Sequence, residues 1–316
     1  MEEIIPPVEI EAILSELTID KFVKRTNNGE NEIYIVSEQD SPSTMLEIGR
    51  LRELSFRASG GGTGKSMDID DYDRGENSFK QLIVWNPKDR IITGGYRFIH
   101  CNDLELDQNG QVKTPTAKLF HYTEKFIKDY LSSTIELGRS FVQPDYQPAK
   151  NLRKGMYSLD NLWDGLGALV MDYPDVKYFF GKVTMYGHYN ALARDLILFF
   201  MNLYFPDPDK LVYPHRPLPY KTDTINLSKH FVGGDYARDY KVLQHLVRKN
   251  KENIPPLVSA YMNLSSSMRM FGTAFNESFG QVEETGIIVT IADIYEEKKS
   301  RHLSSNKNGY ISLHLK

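Results

Sequence analysis

Glu136 and Arg139 lie three positions apart in the strand-like run IELGRSFV, and charged side chains are rarely buried in a strand without partners. Arg97 sits in a second such run, GGYRF. Upstream, Arg52 and Phe56 are one helical turn apart, and Asp70 and Asp73 follow a glycine-rich stretch. Together these residues imply an internal electrostatic cluster beside a binding cleft. A carboxylate held in such a place can take a proton from a substrate. The plainer reading leaves Asp70 and Asp73 in a solvated acidic turn and lets Arg97 and Arg139 fasten two strands to it. The two readings are compatible.

Such residues need elements to hold them. Ser41, Pro42 and the T-x-x-E series from Thr44 to Glu47 predict a capped helix whose last turns carry Arg52, Phe56 and Arg57. FKQLIVW and IITGGYRFI read as strands joined by the turn Asn86 to Asp89, and TIELGRSFV as the next strand. Before them, Ile10, Ile13, Leu14 and Leu17 share one face of a helix over 8–17, and residues 19–37 form a strand pair across TNNGEN. After them, LDNLWDGLGALVMD predicts a helix, VKYFFGKVTM a strand, and ALARDLILFFMNLYF an apolar helix ending before Pro206. PPLVSAYMNLSSSMRMF fits a helix begun by proline, and GIIVTIADI a buried strand. Residues 206–250 form a proline-rich and then charged insertion, and 301–316 a polar tail, within one domain spanning 1–316.

Composition narrows the classes. The 316 residues are 41% hydrophobic, enough for a substantial core. A formal charge of -4 and a pI near 6.1 argue against nucleic acid as the main partner. A single cysteine, Cys101, excludes an internal disulfide and a cysteine-rich zinc site and fits a reducing cytoplasm. The acidic start MEEIIPPVEIEAILSELTID lacks the basic opening and apolar core of a secretory signal, and no run reaches the roughly 20 apolar residues of a membrane span.

In order, LRELSF, IDDYD, GGYRF and ELGRSFV resemble the acyl-homoserine-lactone synthases and their amino-lipid relatives. VQPDY, LWDGLGALV, FFGKVTM and IPPLVSAYMNL resemble more closely the amino-lipid branch, bacterial hemolysin-like N-acyltransferases that make ornithine or glycine lipids. The resemblance runs from about Met45 to Ala292. It implies an α/β fold of the GNAT type, a mixed central sheet flanked by helices, with residues 206–250 as the inserted segment. The implied reaction moves a long 3-hydroxyacyl chain from acyl carrier protein to the α-amine of an amino acid. Glycine is the first choice of acceptor and ornithine the second, and the product is a lyso-amino lipid. A signal synthase making acyl-homoserine lactone and a non-catalytic lipid-binding module are the alternatives. The implied location is the cytoplasm, with peripheral contact at the inner membrane.

The same resemblance assigns roles. Arg52, Phe56, Asp70, Asp73 and Arg97 would surround the acyl and acceptor groups, with Glu136 as general base and Arg139 beside it. A backbone N–H among Phe141, Val142 and Gln143 would meet the developing oxyanion. Tyr146, Tyr157 and Tyr186 are candidates to protonate the departing thiol, or packing residues. Where acetyl-CoA-dependent members carry a compact pyrophosphate loop, this chain has QPDYQPAKNLRKGMYS. Lys150, Arg153 and Lys154 would then face an acidic carrier, Gly155 is retained, and the helix from Ser158 would offer its first N–H groups to a phosphate. A solvated basic turn is the alternative there. Neither a metal nor a cofactor is expected.

One motif points elsewhere. SGGGTGKS, residues 59–66, nearly spells the nucleotide loop G-x-x-x-x-G-K-[ST], but Ser59 replaces the first glycine and a charged helix, not a buried strand, precedes it. A flexible gate over the substrate is the expectation, with a nucleotide-binding protein as the remaining alternative.

Overall fold

A computed structural model of the protein describes residues 1–104, 106–108, 110–148 and 150–303. In chain order its first half runs α1 (Ile10–Glu16), β1 (Phe22–Arg25), β2 (Glu32–Val36), α2 (Pro42–Ala58), β3 (Lys80–Asn86), β4 (Ile91–His100), β5 (Phe120–Tyr122), α3 (Glu124–Asp129) and β6 (Thr134–Val142). The second half runs α4 (Leu152–Gly155), α5 (Ser158–Asp172), β7 (Tyr178–Met185), α6 (Ala191–Tyr204), β8 (Val212–Pro214), α7 (Thr224–Ser228), α8 (Tyr236–Lys249), α9 (Pro256–Met262), β9 (Arg269–Asn276), β10 (Val282–Thr290) and α10 (Glu296–His302). Strands and flanking helices of the expected α/β class are therefore present. The residues of the polar tail from 304 onward lie outside the described residues.

The chain divides into two compact units. The first comprises residues 1–104, 132–176 and 296–316. Its strands pair antiparallel in the order β1-β2-β3-β4-β6. Leu82 to Trp85 are all buried, as in a strand covered on both faces. Alternation sends Leu82 toward α5, where Gly165 lets it approach: a Cβ there would sit 2.5 Å from Leu82 Cδ2. Gln81 points to the opposite face and meets Arg52 of α2. The sheet thus carries α5 on one side and α2 on the other.

Two glycines in GGYRF allow three strands to close up. A Cβ on Gly94 would lie 2.6 Å from the Phe141 carbonyl oxygen, and one on Gly95 would lie 2.7 Å from that of Leu82. Side chains there would force β3, β4 and β6 apart.

The start of α2 differs from the expected capping box. Ser41 makes no side-chain cap; the N–H groups of Ser43 and Thr44 donate to the Glu16 carboxylate at 2.9 and 2.7 Å. Glu47 instead receives Arg50 and the Val8 N–H. A carboxylate brought by tertiary structure has displaced the local one.

The second unit comprises residues 105–131 and 177–295. It holds the antiparallel set β7-β10-β9 and the small pair β5-β8. The proline-initiated helix is shorter than its sequence pattern implied, ending at Met262 before β9 begins at Arg269. The intervening Ser265 hydroxyl accepts from the Ser267 N–H at 3.2 Å, a local bond that competes with helix continuation. The buried strand expected at GIIVTIADI ends at Thr290 and gives way to a single turn.

Candidate active site

In the first unit α2, the 68–73 segment, β3, β4 and β6 bring together most of the charged residues singled out in the sequence. Arg52 and Asp73 are fully buried, with Arg52 Nη1 3.2 Å from both Asp73 carboxylate oxygens. Arg97 Nη1 lies 2.8 Å from Asp70 Oδ1 and 3.2 Å from Asp73 Oδ2. Gln81, which the sequence did not single out, donates to Asp73 at 3.0 Å and accepts from Arg52. Strand register explains the grouping, because Gln81, Arg97 and Gly138 are cross-strand partners in one row of β3, β4 and β6. Partners in a row share a face.

The acidic segment is a built turn, not a solvated one. Asp70 accepts from the Tyr72 N–H and Asp73 from the Asp70 N–H, a reciprocal capping box. Ile69 is pressed against Gly49 of α2, where a Cβ would lie 2.6 Å from it. In an extended segment this sends Asp68 and Asp70 to the other side, toward Arg139. Asp68, absent from the sequence expectations, is fully buried, and its Oδ2 lies 2.7 Å from Arg139 Nε.

Arg139 gets there by a β-bulge. Pairing between β4 and β6 slips between Gly95↔Phe141 and Arg97↔Gly138, and Arg139 takes a positive φ of 49°. Bulges re-aim side chains, and this one turns Arg139 toward the two aspartates. Glu136 is buried, pairs with Ile99 and is two residues from Gly138, so it lies on the Arg97 face one row further along β6.

The electrostatics are strongly coupled. Burial alone would raise Asp73, but the Arg52 and Arg97 guanidiniums outweigh it and hold the carboxyl well below the usual range. Burial opposes the charge on Arg97, yet Asp73, Asp70 and Asp68 leave it more firmly protonated. Burial pushes the Cys101 thiol up, and the Glu136 charge adds to that. Burial also raises Tyr72, reinforced by Asp70 and Glu136. Three arginines (Arg52, Arg97, Arg139) face three aspartates (Asp68, Asp70, Asp73).

The remaining expected residues are placed as follows. Phe56 is buried one turn beyond Arg52. Phe141 and Val142 pair with Gly95 and Gly94. The Gln143 N–H donates to the Thr93 carbonyl at 3.0 Å, so it is engaged within the fold. The Tyr146 hydroxyl donates to Asp89, and burial together with that carboxylate raises its pKa, both unfavourable to an acid role. Tyr157 precedes α5, while Tyr186 belongs to the second unit, 6.1 Å from His188 in a stacked pair.

In the basic turn, Lys150 pairs with Asp145 at 2.5 Å and Lys154 with Asp89 at 2.8 Å. Arg153 is exposed on α4. Gly155 fits because a Cβ would strike the 146–148 backbone, 2.4 Å from Pro148 N. Ser158 Oγ donates to the Tyr146 carbonyl at 2.8 Å, tying this turn to α5.

The glycine-rich loop already holds an anion. Thr63 and Gly64 donate their N–H groups to the fully buried Glu53 carboxylate at 2.9 and 2.7 Å, and Arg57 Nε pairs with it at 2.7 Å. Glu2 bonds to Gly64 and Ser66 across the same loop. A nest filled by an internal carboxylate contradicts the phosphate-cradle alternative, and these tethers contradict a free-swinging gate.

Residues 51–154 match the acetyltransferase (GNAT) domain family. A glycine N(alpha)-acyltransferase of Phocaeicola vulgatus is 53% identical over 305 residues, covering 96% of this chain and 94% of the relative. Another, of Bacteroides thetaiotaomicron, is 52% identical, with 96% and 90% covered. The chain belongs to this GNAT-fold N-acyltransferase family. The solved acyl-homoserine-lactone synthase LasI matches 48% of the chain and 71% of its own at 14% identity, with a TM-score of 0.26, too slight a likeness to carry a conclusion. In this acyltransferase the Arg52–Asp73–Arg97 core lies wholly inside the residues matched by the GNAT family. Among the described residues, no helix is long and apolar enough to cross a membrane.

Proposed function

We propose that this acyltransferase moves a long 3-hydroxyacyl chain from acyl carrier protein to the α-amine of glycine, forming a lyso-amino lipid. The observation that carries the acceptor is the naming of both relatives, at 52–53% identity, as glycine N(alpha)-acyltransferases. The site supplies a compatible chemistry. An amino acid is an ammonium near neutral pH, and its amine attacks a thioester only after losing a proton. Glu136, a buried carboxylate on the Arg97 face of β6, takes that proton. Arg52, Phe56, Asp70, Asp73, Arg97 and Arg139 hold the surrounding surface, and a backbone N–H at Phe141 or Val142 meets the oxyanion.

For the donor, the support is the basic turn. Leu152 and Met156, four residues apart, are 73% and 54% exposed beside Arg153, an apolar and cationic surface suited to an acidic carrier. The test is a competition: purified protein, 3-hydroxyacyl carrier protein or the matching acyl-CoA, and equal glycine and ornithine, with products read by mass spectrometry. N-acylglycine formed preferentially from the carrier is the expected result. Acylornithine as the main product would overturn the acceptor, and preference for acyl-CoA the donor.

A further inference from the structure

Within the second unit the 206–250 insertion has a charge unlike that of the whole protein. It carries eight Lys and Arg against five Asp, in a chain of net charge -4. Three of its five acids are paired or buried. Asp207 and Asp209 pair with Arg269, and Asp209 also with Lys125. Asp239 is buried, while Asp223 and Asp235 cap α7 and α8 and stay exposed. The cations face out: Lys229 is exposed, bonded to Asn226, and Lys221 is exposed with Glu283 3.6 Å away.

Apolar side chains are exposed in the same segments. Ile225 and Val232 are each 65% exposed and Leu203 is 40% exposed. Their placement is fixed by the fold. Phe199 of α6 packs against Tyr220 at 6.2 Å and Phe231 at 6.0 Å, gathering the segments that carry Lys221 and Val232 around one helix. A Cβ on Gly233 would sit 4.0 Å from Leu203 Cδ1, so the Val232 turn abuts that leucine. Asp239 accepts from the Val232 and Gly233 N–H groups, both at 2.9 Å, and from the Tyr204 hydroxyl at 2.7 Å. With Phe231 buried and the backbone pinned, Val232 is held outward by bonds and not left there by slack.

We infer that this face of the insertion, with Ile225 and Val232 as apolar anchors and Lys221 and Lys229 as flanking cations, docks on an anionic bilayer surface. The apolar side chains enter the headgroup boundary while the lysines neutralise acidic lipid headgroups, the two contributions that hold a peripheral protein. The inference deepens the proposed function only in saying where an amphiphilic product leaves; the surface argument stands without it.

The test is sedimentation with vesicles of equal parts phosphatidylglycerol and phosphatidylcholine, and with phosphatidylcholine alone, in the absence of substrate, so that failure of acyl transfer does not obscure it. The full chain should bind the anionic vesicles selectively. The double variant Lys221→Glu and Lys229→Glu should weaken that binding at least about tenfold at low salt. Ile225→Ser with Val232→Ser should weaken it several-fold at every salt concentration. Both should keep the melting temperature and turnover with a short pantetheine thioester. Absence of wild-type binding, equal binding to neutral vesicles, or unchanged binding by both variants overturns the inference. So does a rise in KM for acyl carrier protein with vesicle binding intact, which would make the face a protein dock.

Discussion

Asp68 Oδ2 lies 2.7 Å from Arg139 Nε, and that contact exists because Arg139 adopts a left-handed backbone in the β6 bulge. A non-glycine residue is disfavoured there, so surrounding contacts must hold it. The Asp68 ion pair supplies one such contact. Asp68→Asn, which keeps the shape and removes the charge, should therefore lower kcat about tenfold or more, since positioning errors near a reacting centre are amplified in rate. Asp68→Glu should not restore it, because the buried space is filled. Wild-type kcat in Asp68→Asn would show that Arg139 needs no counter-ion to keep its place.

Glu136→Gln tests the proposed base directly. It should leave the melting temperature close to wild type and lower kcat about 10²- to 10⁴-fold. Raising the pH should restore part of the rate, because more acceptor amine is then already deprotonated. Near-normal turnover with saturating substrates would assign the proton to another group.

Arg97 is held by two carboxylates and lies over the rings of Phe79 and Tyr72 at 5.3 and 5.9 Å. Removing one member of a buried ion pair strands the other, typically at a loss of about 3–5 kcal/mol. Arg97→Ala should accordingly unfold at markedly lower denaturant concentration, while exposed Arg153→Ala should unfold as wild type. Equal midpoints for the two variants would make the cluster irrelevant to stability.

How much of this was legible beforehand depends on whether the signal was local. The strands bearing Arg97 and Glu136, and the helix bearing Arg52, follow from apolar runs and turn residues that act over a few positions. Asp68 was hidden in MDIDDYD, where it is one of four aspartates that look alike as a solvated acidic run. The alternation Asp68-Ile69-Asp70 was the available signal, since an apolar residue facing a helix sends its neighbours the other way. Gln81 required strand register, and the Arg139 bulge required the pairing of β6 with β4. Neither is a property of a single segment. Glu53 entering the glycine-rich loop and Glu16 capping α2 are tertiary partners that displaced local expectations.

The pH dependence of stability should carry the signature of Asp73. Its folded-state pKa is depressed, so its contribution is fully present above the unfolded value of about 3.9 and is lost as the pH falls through the lower folded value. Denaturation midpoints should drop below about pH 4, and the difference between wild type and Asp73→Asn should shrink over that range. A difference that stays constant down to the acid limit would mean that Asp73 is not held ionised by Arg52 and Arg97.

The basic turn offers the sharpest test of the donor. Lys154 is bound to Asp89 and lies 5.1 Å from the centre of the Tyr146 ring, so reversing it disturbs the turn as well as its charge. Arg153 carries exposed charge, and Arg153→Glu is therefore the cleaner variant. If an acidic carrier docks there, this change should slow encounter, and the loss should fade with salt because exposed charges are screened beyond about 10 Å at 0.1 M ionic strength. Turnover at saturating carrier should change little, and a short pantetheine thioester, which has no acidic protein surface, should be used as well as before. Equal loss with both donors across a salt series would move Arg153 into the reaction site itself. No loss with either would return residues 150–155 to the structural task already visible in Gly155 and Ser158, closing the turn onto α5.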